Sequence, residues 1–300
     1  MFDFLNPLTL DDFNQKTDFL IDGFLPKHLI TMIYADGGMG KSWAAMGLAK
    51  YAAKAGMDVL YLDYDNPMNV LKERGIESKL IADCTNLHYS HRSKTTLQAL
   101  AMLDELEAIA VAGRFKNTMI VLDSLRDFSD VNNDAKAMQL GEKLKNIREA
   151  GATILVLHHS TKNGSNYQGS NNIRNSIDNM YQLNKIDSEE GCIRWILTVK
   201  KERAAIVDTA LSVQVDSLEI TQIDIQTARL STDDKAFIDN VKVVLTQSPG
   251  INKTDLLGEL GYEKTDKTAR DKLDQFEDLY WKTEKGAKNA TLYHLIECCE

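Results

Sequence analysis

The apolar residues in the first half of the chain form short continuous runs, and amphipathic segments separate these runs. Such runs, without regular alternation of polar residues, are typical of parallel strands buried on both faces. Helical spacing predicts helices over 95–112 and 134–150, and Pro67 opens a predicted helix through Arg74. This order predicts an α/β fold whose mainly parallel sheet is covered by helices on both faces. The predicted strands are 29–34, 58–63, 118–123 and 152–157.

The pattern changes after residue 158. The stretch 160–175 is polar, contains glycine and is rich in asparagine, so it is predicted to be a mobile loop. Shorter strand-like segments follow, with turn signals between them. We expect them to add antiparallel strands to the edge of the sheet. These segments are 179–183, 192–200, 209–215 and 218–223.

The last quarter of the chain has the pattern of a separate small domain. A polar stretch, 226–233, is predicted to link a core domain over 1–225 to a second domain over 234–300. Three predicted helices followed by a β-hairpin indicate a winged-helix-like domain. The helices are 237–246, 253–260 and 266–279, and the hairpin strands are 279–283 and 291–295.

The strongest chemical signal follows the first buried run. The segment ADGGMGKS, residues 35–42, lies between a predicted strand and a helix-forming stretch, which is the context of a phosphate-binding P-loop. Its glycines let backbone N–H groups point at an anion, and the helix N-terminus adds a positive dipole. Lys41 is expected to reach the β- and γ-phosphates of ATP, and Ser42 to bind Mg²⁺. The expected nucleotide-binding residues are Gly37, Gly38, Met39, Gly40, Lys41, Ser42 and Trp43.

Acids and histidines stand where the buried runs end. In an open parallel sheet, ligands bind beyond the carboxyl ends of the strands. Asp123 is expected to hold Mg²⁺, although it could also cap the following helix. Asp63 and Asp65 could activate a water molecule or be solvated loop acids. His158 and His159 could contact the γ-phosphate or be ordinary core or surface histidines.

Composition limits the class of protein. Hydrophobic residues make up 43% and charged residues 26% of the chain, as in ordinary globular proteins. The net charge of −9 argues against a general coating of nucleic acid but allows a local basic channel. The four cysteines show no metal-ligand spacing and suit a reducing compartment. Without a signal-peptide pattern or a membrane-spanning run, we expect a soluble cytoplasmic protein. The cysteines are Cys84, Cys192, Cys298 and Cys299.

Several motifs in order carry a family resemblance. They include LIDGFLP at 20–26, the P-loop, VLYLDYDNP at 59–67 and IVLDSLR at 120–126. LHHSTK at 157–162 and KKER at 200–203 complete the series. Over about residues 18–215 the chain resembles RecA-like ATPases of the plasmid RepA type, which are hexameric replicative DNA helicases, and related phage and plasmid proteins.

The resemblance implies a RecA-like core that assembles into a ring and binds ATP and Mg²⁺ between subunits. It assigns Lys41 and Ser42 to the phosphates and Mg²⁺, and Asp123 to the metal. It places the catalytic carboxylate on Asp65, where the family usually has glutamate, with Asp63 as the alternative. His159 matches a residue near the γ-phosphate. Further matches are Lys201 and Arg203 as cations acting on a neighbouring subunit, and the loop 160–172 as a segment that binds single-stranded DNA through Lys162, Asn163, Tyr167 and Arg174. From spacing alone, a charged turn is favoured for 200–203.

These observations lead to an expected function with alternatives. The first is an ATP-dependent motor on single-stranded DNA, a replicative helicase of a plasmid, phage or mobile element. The second is a regulatory or partner-loading ATPase that unwinds nothing, and the third is a small-molecule kinase. In the predicted helix 266–279, Lys267 and Arg270 could bind DNA, but the alternating acids also suit a protein-docking surface.

Overall fold

A computed structural model of the chain describes residues 7–10, 17–161, 164, 166–187, 191–286 and 290–296. The chain divides into two compact units between Ala228 and Arg229. Among the described helices, none has the length and apolar character needed to cross a bilayer.

The first unit is built on a nine-stranded sheet. A two-stranded sheet formed by β1 (Phe19–Ile21) and β2 (Leu25–Pro26) precedes it. The strands of the large sheet are β3 (Ile30–Ala35), β4 (Asp58–Asp63), β5 (Leu87–His91), β6 (Thr118–Asp123), β7 (Thr153–His159), β8 (Asn179–Ile186), β9 (Cys192–Lys201), β10 (Thr209–Gln214) and β11 (Ile220–Ile223). The helices of the unit are α1 (Lys41–Lys54), α2 (Met68–Glu73), α3 (Ala99–Ala108), α4 (Leu125–Phe128), α5 (Asp134–Glu149), α6 (Asn171–Ser176) and α7 (Ile225–Arg229), with a π-helical turn at Glu77–Ile81.

The strand order in the large sheet is β11-β10-β9-β8-β3-β7-β6-β4-β5. The six strands from β8 to β5 in this order pair in parallel, and β9, β10 and β11 continue the sheet antiparallel. The predicted α/β class with a mainly parallel sheet is therefore confirmed. The expectation that β8 is antiparallel to the preceding sheet was wrong. After β7 the chain passes through α6 back to the end of the sheet where the parallel strands begin. Strand β8 therefore runs alongside β3 in the same direction.

Two apolar cores cover the two faces of the sheet. Alternate residues of one strand point into different cores, as Val121 and Leu122 of β6 do. The alanine-rich helix α1 packs in the first core, where small side chains allow close approach to the strands. Helices α3 and α5 pack in the second core. The sheet that carries the functional strands is thus buried on both sides.

Some predicted elements have different boundaries in the structure. The helix predicted over 95–112 is shorter and spans Ala99–Ala108. The predicted loop 160–175 includes all of α6 except its last residue, and this helix begins where the Ser170 hydroxyl accepts a hydrogen bond from the backbone N–H of Asn172.

The predicted linker 226–233 contains most of α7 and the first two residues of the next helix. That helix begins at a reciprocal hydrogen-bonded pair of Ser231 and Asp234. Local capping therefore overrides the polar composition that indicated irregular structure.

The second unit has a small core of its own, which includes Trp281 and Tyr293. Its sheet order is β12-β14-β13. Three helices and a hairpin are present in the predicted order, although the first helix begins at Thr232 and the third ends at Gln275. The winged-helix assignment and the domain boundaries stay predictions. The elements are α8 (Thr232–Gln247), β12 (Ile251–Asn252), α9 (Lys253–Glu259), α10 (Lys267–Gln275), β13 (Trp281–Lys285) and β14 (Thr291–Leu295).

Candidate functional site

The turn from β3 to α1 forms a cradle of backbone groups. Gly38 and Gly40 have φ angles of +76° and +87°, in the left-handed region that favours glycine. A Cβ atom built on Gly37 or Gly38 would meet nothing within 4 Å, so the loop is open on its outer side. Gly40 has no side chain that could cap α1, and the first N–H groups of the helix can therefore bind an anion.

Lys41 lies beneath this cradle as the first residue of α1. Its ammonium group donates hydrogen bonds to the carbonyl oxygens of Ala35 and Asp36, each at 2.9 Å. Burial lowers the pKa of Lys41, and the nearby carboxylate of Asp123 opposes this shift. The side chain is folded back onto the loop. Its ammonium group is placed where it can exchange these two carbonyl oxygens for phosphate oxygens.

Trp195, on β9, supports the loop from below. Its indole Nε1 donates a hydrogen bond of 2.7 Å to the carbonyl oxygen of Met39. A Cβ atom on Gly40 would lie only 2.9 Å from Cζ2 of the Trp195 ring. Sequence reasoning did not find this residue, because nothing local in the sequence of β9 distinguishes it from any other core tryptophan.

Two carboxylates meet where β4 and β6 end, because Asp63 and Asp123 are direct partners in the parallel register. Oδ2 of Asp123 accepts hydrogen bonds from the hydroxyl of Tyr61 at 2.9 Å and from Nδ2 of Asn66 at 3.1 Å. The hydroxyl oxygen of Ser42 lies 3.4 Å from the same Nδ2 atom of Asn66. Burial, together with the neighbouring Asp63, raises the pKa of Asp123 to about 7. Two buried carboxylates this close together repel each other when both are ionised, and a bound cation would reduce that repulsion.

The two candidate catalytic acids have different surroundings. Asp63 is fully buried and accepts hydrogen bonds from the hydroxyl of Tyr89 at 2.6 Å and from the side chain and backbone of Asn66. Asp65 keeps 29% of its side chain exposed and forms an ion pair of 2.8 Å with Arg126. Asp65 is therefore the acid of the two that solvent reaches. Sequence reasoning missed both Tyr89 and Asn66.

His158 and His159 end β7 beside the P-loop, because His159 pairs with Ala35 in the parallel register. Nε2 of His158 donates to the carbonyl oxygen of Gln168 at 2.6 Å, which leaves Nδ1 as an acceptor. Burial lowers the pKa of His158 to about 4. Burial and the charge of Lys41 lower the pKa of His159, whose buried Nε2 has no hydrogen-bond partner among the described residues.

Comparison with known protein families agrees with this geometry. Residues 9–165, more than half of the chain, match the AAA domain family. The chain belongs to the AAA domain family. A comparison with curated proteins finds no match.

Membership of the AAA domain family confirms the broader part of the sequence prediction. The family is of the P-loop ATPase type, which indicates nucleotide binding and ATP hydrolysis. The more specific resemblance to RepA-type helicases stays a prediction.

The donor set of this AAA domain fits a nucleotide with magnesium. Ser42 and Asp123 supply a hydroxyl and a carboxylate, the ligands that P-loop proteins use for Mg²⁺. In the described part of the chain, no group of three His, Cys, Asp or Glu residues could hold a metal ion. The protein residues therefore suit a metal that also takes ligands from phosphates.

The two predicted cations of the KKER segment lie away from the P-loop of this AAA domain. Lys201 pairs with Met180, and Met180 lies beside Met32 of β3, so Lys201 lies towards the beginning of that strand. Its ammonium group donates to the carbonyl oxygens of Arg174 and Ile177.

Arg203 pairs with the buried Asp178 at 3.0 Å and is 52% exposed. Neither Lys201 nor Arg203 is brought to the phosphate cradle of its own chain.

The predicted DNA-binding residues have mixed placements. Lys162 and Asn163 lie outside the described residues. The ring of Tyr167 is buried against Tyr34, and its contact with nucleic acid stays a prediction. Arg174 donates to the carbonyl oxygen of Lys200 at 2.9 Å. In the second unit, the predicted DNA contacts Lys267 and Arg270 lie on exposed positions of α10.

Proposed function

We propose that the chain is an ATP-driven motor that acts on single-stranded DNA, as a replicative helicase of a plasmid, phage or mobile element does. The observation that carries this proposal is that His159, at the end of β7, lies beside the P-loop and is also hydrogen bonded through its backbone to Gln168 in the segment that follows. Each turnover would change the contacts of the β7 end, and the following segment would move with it.

The nucleotide would bind in the cradle between β3 and α1. Lys41 would exchange its two carbonyl partners for phosphate oxygens, and Ser42 and Asp123 would hold Mg²⁺. When bound, Mg²⁺ would neutralise charge that develops on the phosphates. Asp65 would orient and deprotonate the attacking water, since it is accessible whereas Asp63 is enclosed by hydrogen bonds.

His159 would report the state of the γ-phosphate. Its Nε2 is buried and unpaired among the described residues, next to Lys41, so a phosphate oxygen would give it the partner that it lacks. The segment after β7 is tied to this histidine. Ser160 and Tyr167 form an antiparallel bridge, and the backbone N–H of Gln168 donates to the carbonyl oxygen of His159 at 2.9 Å. A shift of His159 would therefore pull both ends of the segment.

Assembly into a ring would complete the site. Arg203 is half exposed at the other end of the strands, where it could reach the γ-phosphate bound by a neighbouring copy. A ring would also bring several copies of the segment after β7 around one channel, so that a few cations per chain could attract the DNA backbone despite the acidic total charge.

The proposal is tested by ATP hydrolysis with and without oligo-dT, together with strand displacement on a forked duplex. We expect DNA to stimulate hydrolysis, and Lys41→Ala to abolish both hydrolysis and unwinding. Lys54→Ala, an exposed lysine in the last turn of the same helix, is the matched control and should keep both activities. Hydrolysis that is indifferent to DNA in the wild type would contradict the motor.

A regulatory or partner-loading ATPase is a second candidate, and one observation favours it. Among the described residues after β7, Tyr167 is buried and Arg174 already binds a carbonyl oxygen, which leaves few groups for DNA. This candidate predicts hydrolysis that changes on addition of a replication protein but not on addition of DNA.

A further inference from the structure

The side-chain amide of Asn66 lies between the two buried carboxylates of the site. Its Nδ2 is 3.1 Å and 3.2 Å from the two carboxylate oxygens of Asp63 and 3.1 Å from Oδ2 of Asp123. It is also 3.4 Å from the hydroxyl oxygen of Ser42. One nitrogen atom thus has four oxygen neighbours, and oxygen is the type of ligand that divalent cations such as Mg²⁺ select.

The orientation of this amide follows from the chemistry of its partners. NH1 of Arg74 donates to Oδ1 of Asn66 at 3.1 Å. A guanidinium can only donate and an ionised carboxylate can only accept, so Nδ2 must face Asp63 and Asp123. The amide oxygen therefore points away from the four-oxygen set and cannot serve there as a metal ligand.

Arg74 also connects this amide to the start of α1. Its guanidinium lies over the ring of Trp43, 5.4 Å from the ring centroid. Trp43 directly follows Ser42, so the residue that fixes Asn66 packs beside the predicted phosphate-binding turn. The amide is held in place from both ends.

We propose that Asn66 occupies the cation position of the nucleotide-free site and leaves it when Mg²⁺ enters with a nucleotide. The partly positive NH₂ group stands where the metal would stand, and it separates Asp63 from Asp123. Metal alone would have to displace these hydrogen bonds, whereas a nucleotide brings phosphate ligands that favour the exchange. Asn66 is thus a positioning residue that makes metal uptake depend on nucleotide. This inference rests on the proposed magnesium site at Ser42 and Asp123.

The test measures binding of Mn²⁺ alone to the full chain by electron paramagnetic resonance, without nucleotide. Asn66→Ala opens the four-oxygen set and should raise Mn²⁺ affinity about tenfold, the factor that corresponds to one hydrogen bond to a charged group. Asn66→Asp adds a carboxylate and should raise it further. Asn69→Ala is the matched control, since Asn69 lies three positions along on an exposed part of α2, and it should bind Mn²⁺ as the wild type does.

Thermal unfolding gives a second readout. In a chelator, Asn66→Ala should unfold at a lower temperature than the wild type, because two buried carboxylates lose the side-chain donor that they share, although each keeps its tyrosine hydroxyl, and saturating Mn²⁺ should remove the difference. Arg74→Ala leaves the amide in place but free to turn, and it should also raise Mn²⁺ affinity. This variant keeps the test decisive if Asn66→Ala does not fold.

The outcomes separate this inference from the proposed function. Equal Mn²⁺ affinities for the wild type and the position-66 and position-74 variants would overturn it, and so would weaker binding by Asn66→Ala, which would make the amide a ligand. Failure of DNA to stimulate hydrolysis would contradict the motor and leave the metal measurement unaffected.

Discussion

Trp195 donates a hydrogen bond to the backbone of Met39 across 2.7 Å, and this bond joins the middle of β9 to the tip of the P-loop. The two residues are far apart in sequence, and the sheet order places β8 between β9 and β3, the strand that leads into the P-loop. The shape of the phosphate cradle therefore depends on a tryptophan in the interior of β9 that belongs to none of the recognised motifs.

Replacement of Trp195 tests this dependence. Trp195→Phe keeps the ring packing but removes the donor to Met39, and we expect about fivefold weaker binding of an ATP analogue, the equivalent of about 1 kcal/mol. Isothermal titration calorimetry measures the change. Trp281→Phe is the matched control, since its indole makes the corresponding bond to Leu273 within the second unit. The prediction fails if both variants bind the analogue equally well.

Two glycines of the loop should differ in their tolerance of a side chain. Gly40→Ala places a Cβ atom 2.9 Å from Trp195 at a φ of +87°, and we expect it to cost more than about 1 kcal/mol of unfolding free energy. Gly37→Ala meets nothing within 4 Å and should leave the unfolding free energy unchanged. Denaturant unfolding of both variants provides the comparison, and equal losses would show that Trp195 does not limit the space at Gly40.

The buried His158 predicts a loss of stability in acid. Burial lowers its pKa to about 4 in the folded protein, against 6.5 for the free side chain. The unfolded chain therefore takes up a proton below pH 6.5 while the folded chain does not, so stability falls as the pH drops from 6.5 to 4. The full effect is about 3 kcal/mol.

The variant His158→Gln isolates this contribution. It keeps a donor for the carbonyl oxygen of Gln168 but cannot titrate, so its unfolding free energy should fall less than that of the wild type between pH 7 and pH 5. Asp123 has the opposite effect: because its pKa is raised to about 7, the folded protein is favoured as the pH falls below 7. That contribution is common to both proteins, and parallel pH profiles would refute the assignment to His158.

We expect Lys201 to contribute to stability and Arg203 to contribute to ATP hydrolysis. Lys201→Met removes two hydrogen bonds to the turn that ends α6, and we expect a loss of about 1–3 kcal/mol in unfolding free energy. Arg203→Ala should change stability little, since Arg148 also pairs with Asp178.

Mixed assemblies test whether Arg203 acts on a neighbouring copy. Neither Arg203→Ala nor Lys41→Ala alone should hydrolyse ATP at the wild-type rate. A mixture should recover part of the rate, because some interfaces then combine an intact Lys41 with an intact Arg203. No recovery at any ratio would place Arg203 outside the catalytic interface.

The exposed cations of α10 give a test of DNA binding by the second unit. The double variant Lys267→Ala/Arg270→Ala should weaken duplex binding by the full chain. It should also reduce the slope of log affinity against log salt concentration, by up to about 0.9 for each phosphate that is no longer neutralised. Fluorescence anisotropy at several salt concentrations measures both. Lys272→Ala is the control, because Lys272 pairs with Asp234 at 2.7 Å and should affect stability alone. Unchanged anisotropy in the double variant would favour the protein-docking alternative.

Local patterns in the sequence predict the parts of this protein that depend on local physics. The apolar runs predict the buried parallel strands, and the order of strand, glycine loop and helix predicts the P-loop around Lys41. Asp123 is also predictable, since it ends a buried strand on the edge where ligands bind. Each of these features depends on residues that are close together in the chain.

The rest depends on pairing between distant segments. Tyr89 reaches Asp63 only because β5 lies beside β4, and Trp195 reaches Met39 only through the order of the sheet. Asparagine-rich composition predicts a loop over 160–175, yet Ser170 caps a helix there. Tyr167 has the same sequence context whether it faces DNA or the core, and only the packing on Tyr34 distinguishes the two.

The family match ends at residue 165, before β8. Strand β8 pairs with the side of β3 that β7 does not occupy. A fragment cut at that boundary would turn the central strand of the catalytic sheet into an open edge with unpaired backbone groups, a surface prone to aggregation. A piece of this chain that is to work as an ATPase therefore has to extend past the family match through β8, and through β9 if Trp195 is to support the P-loop.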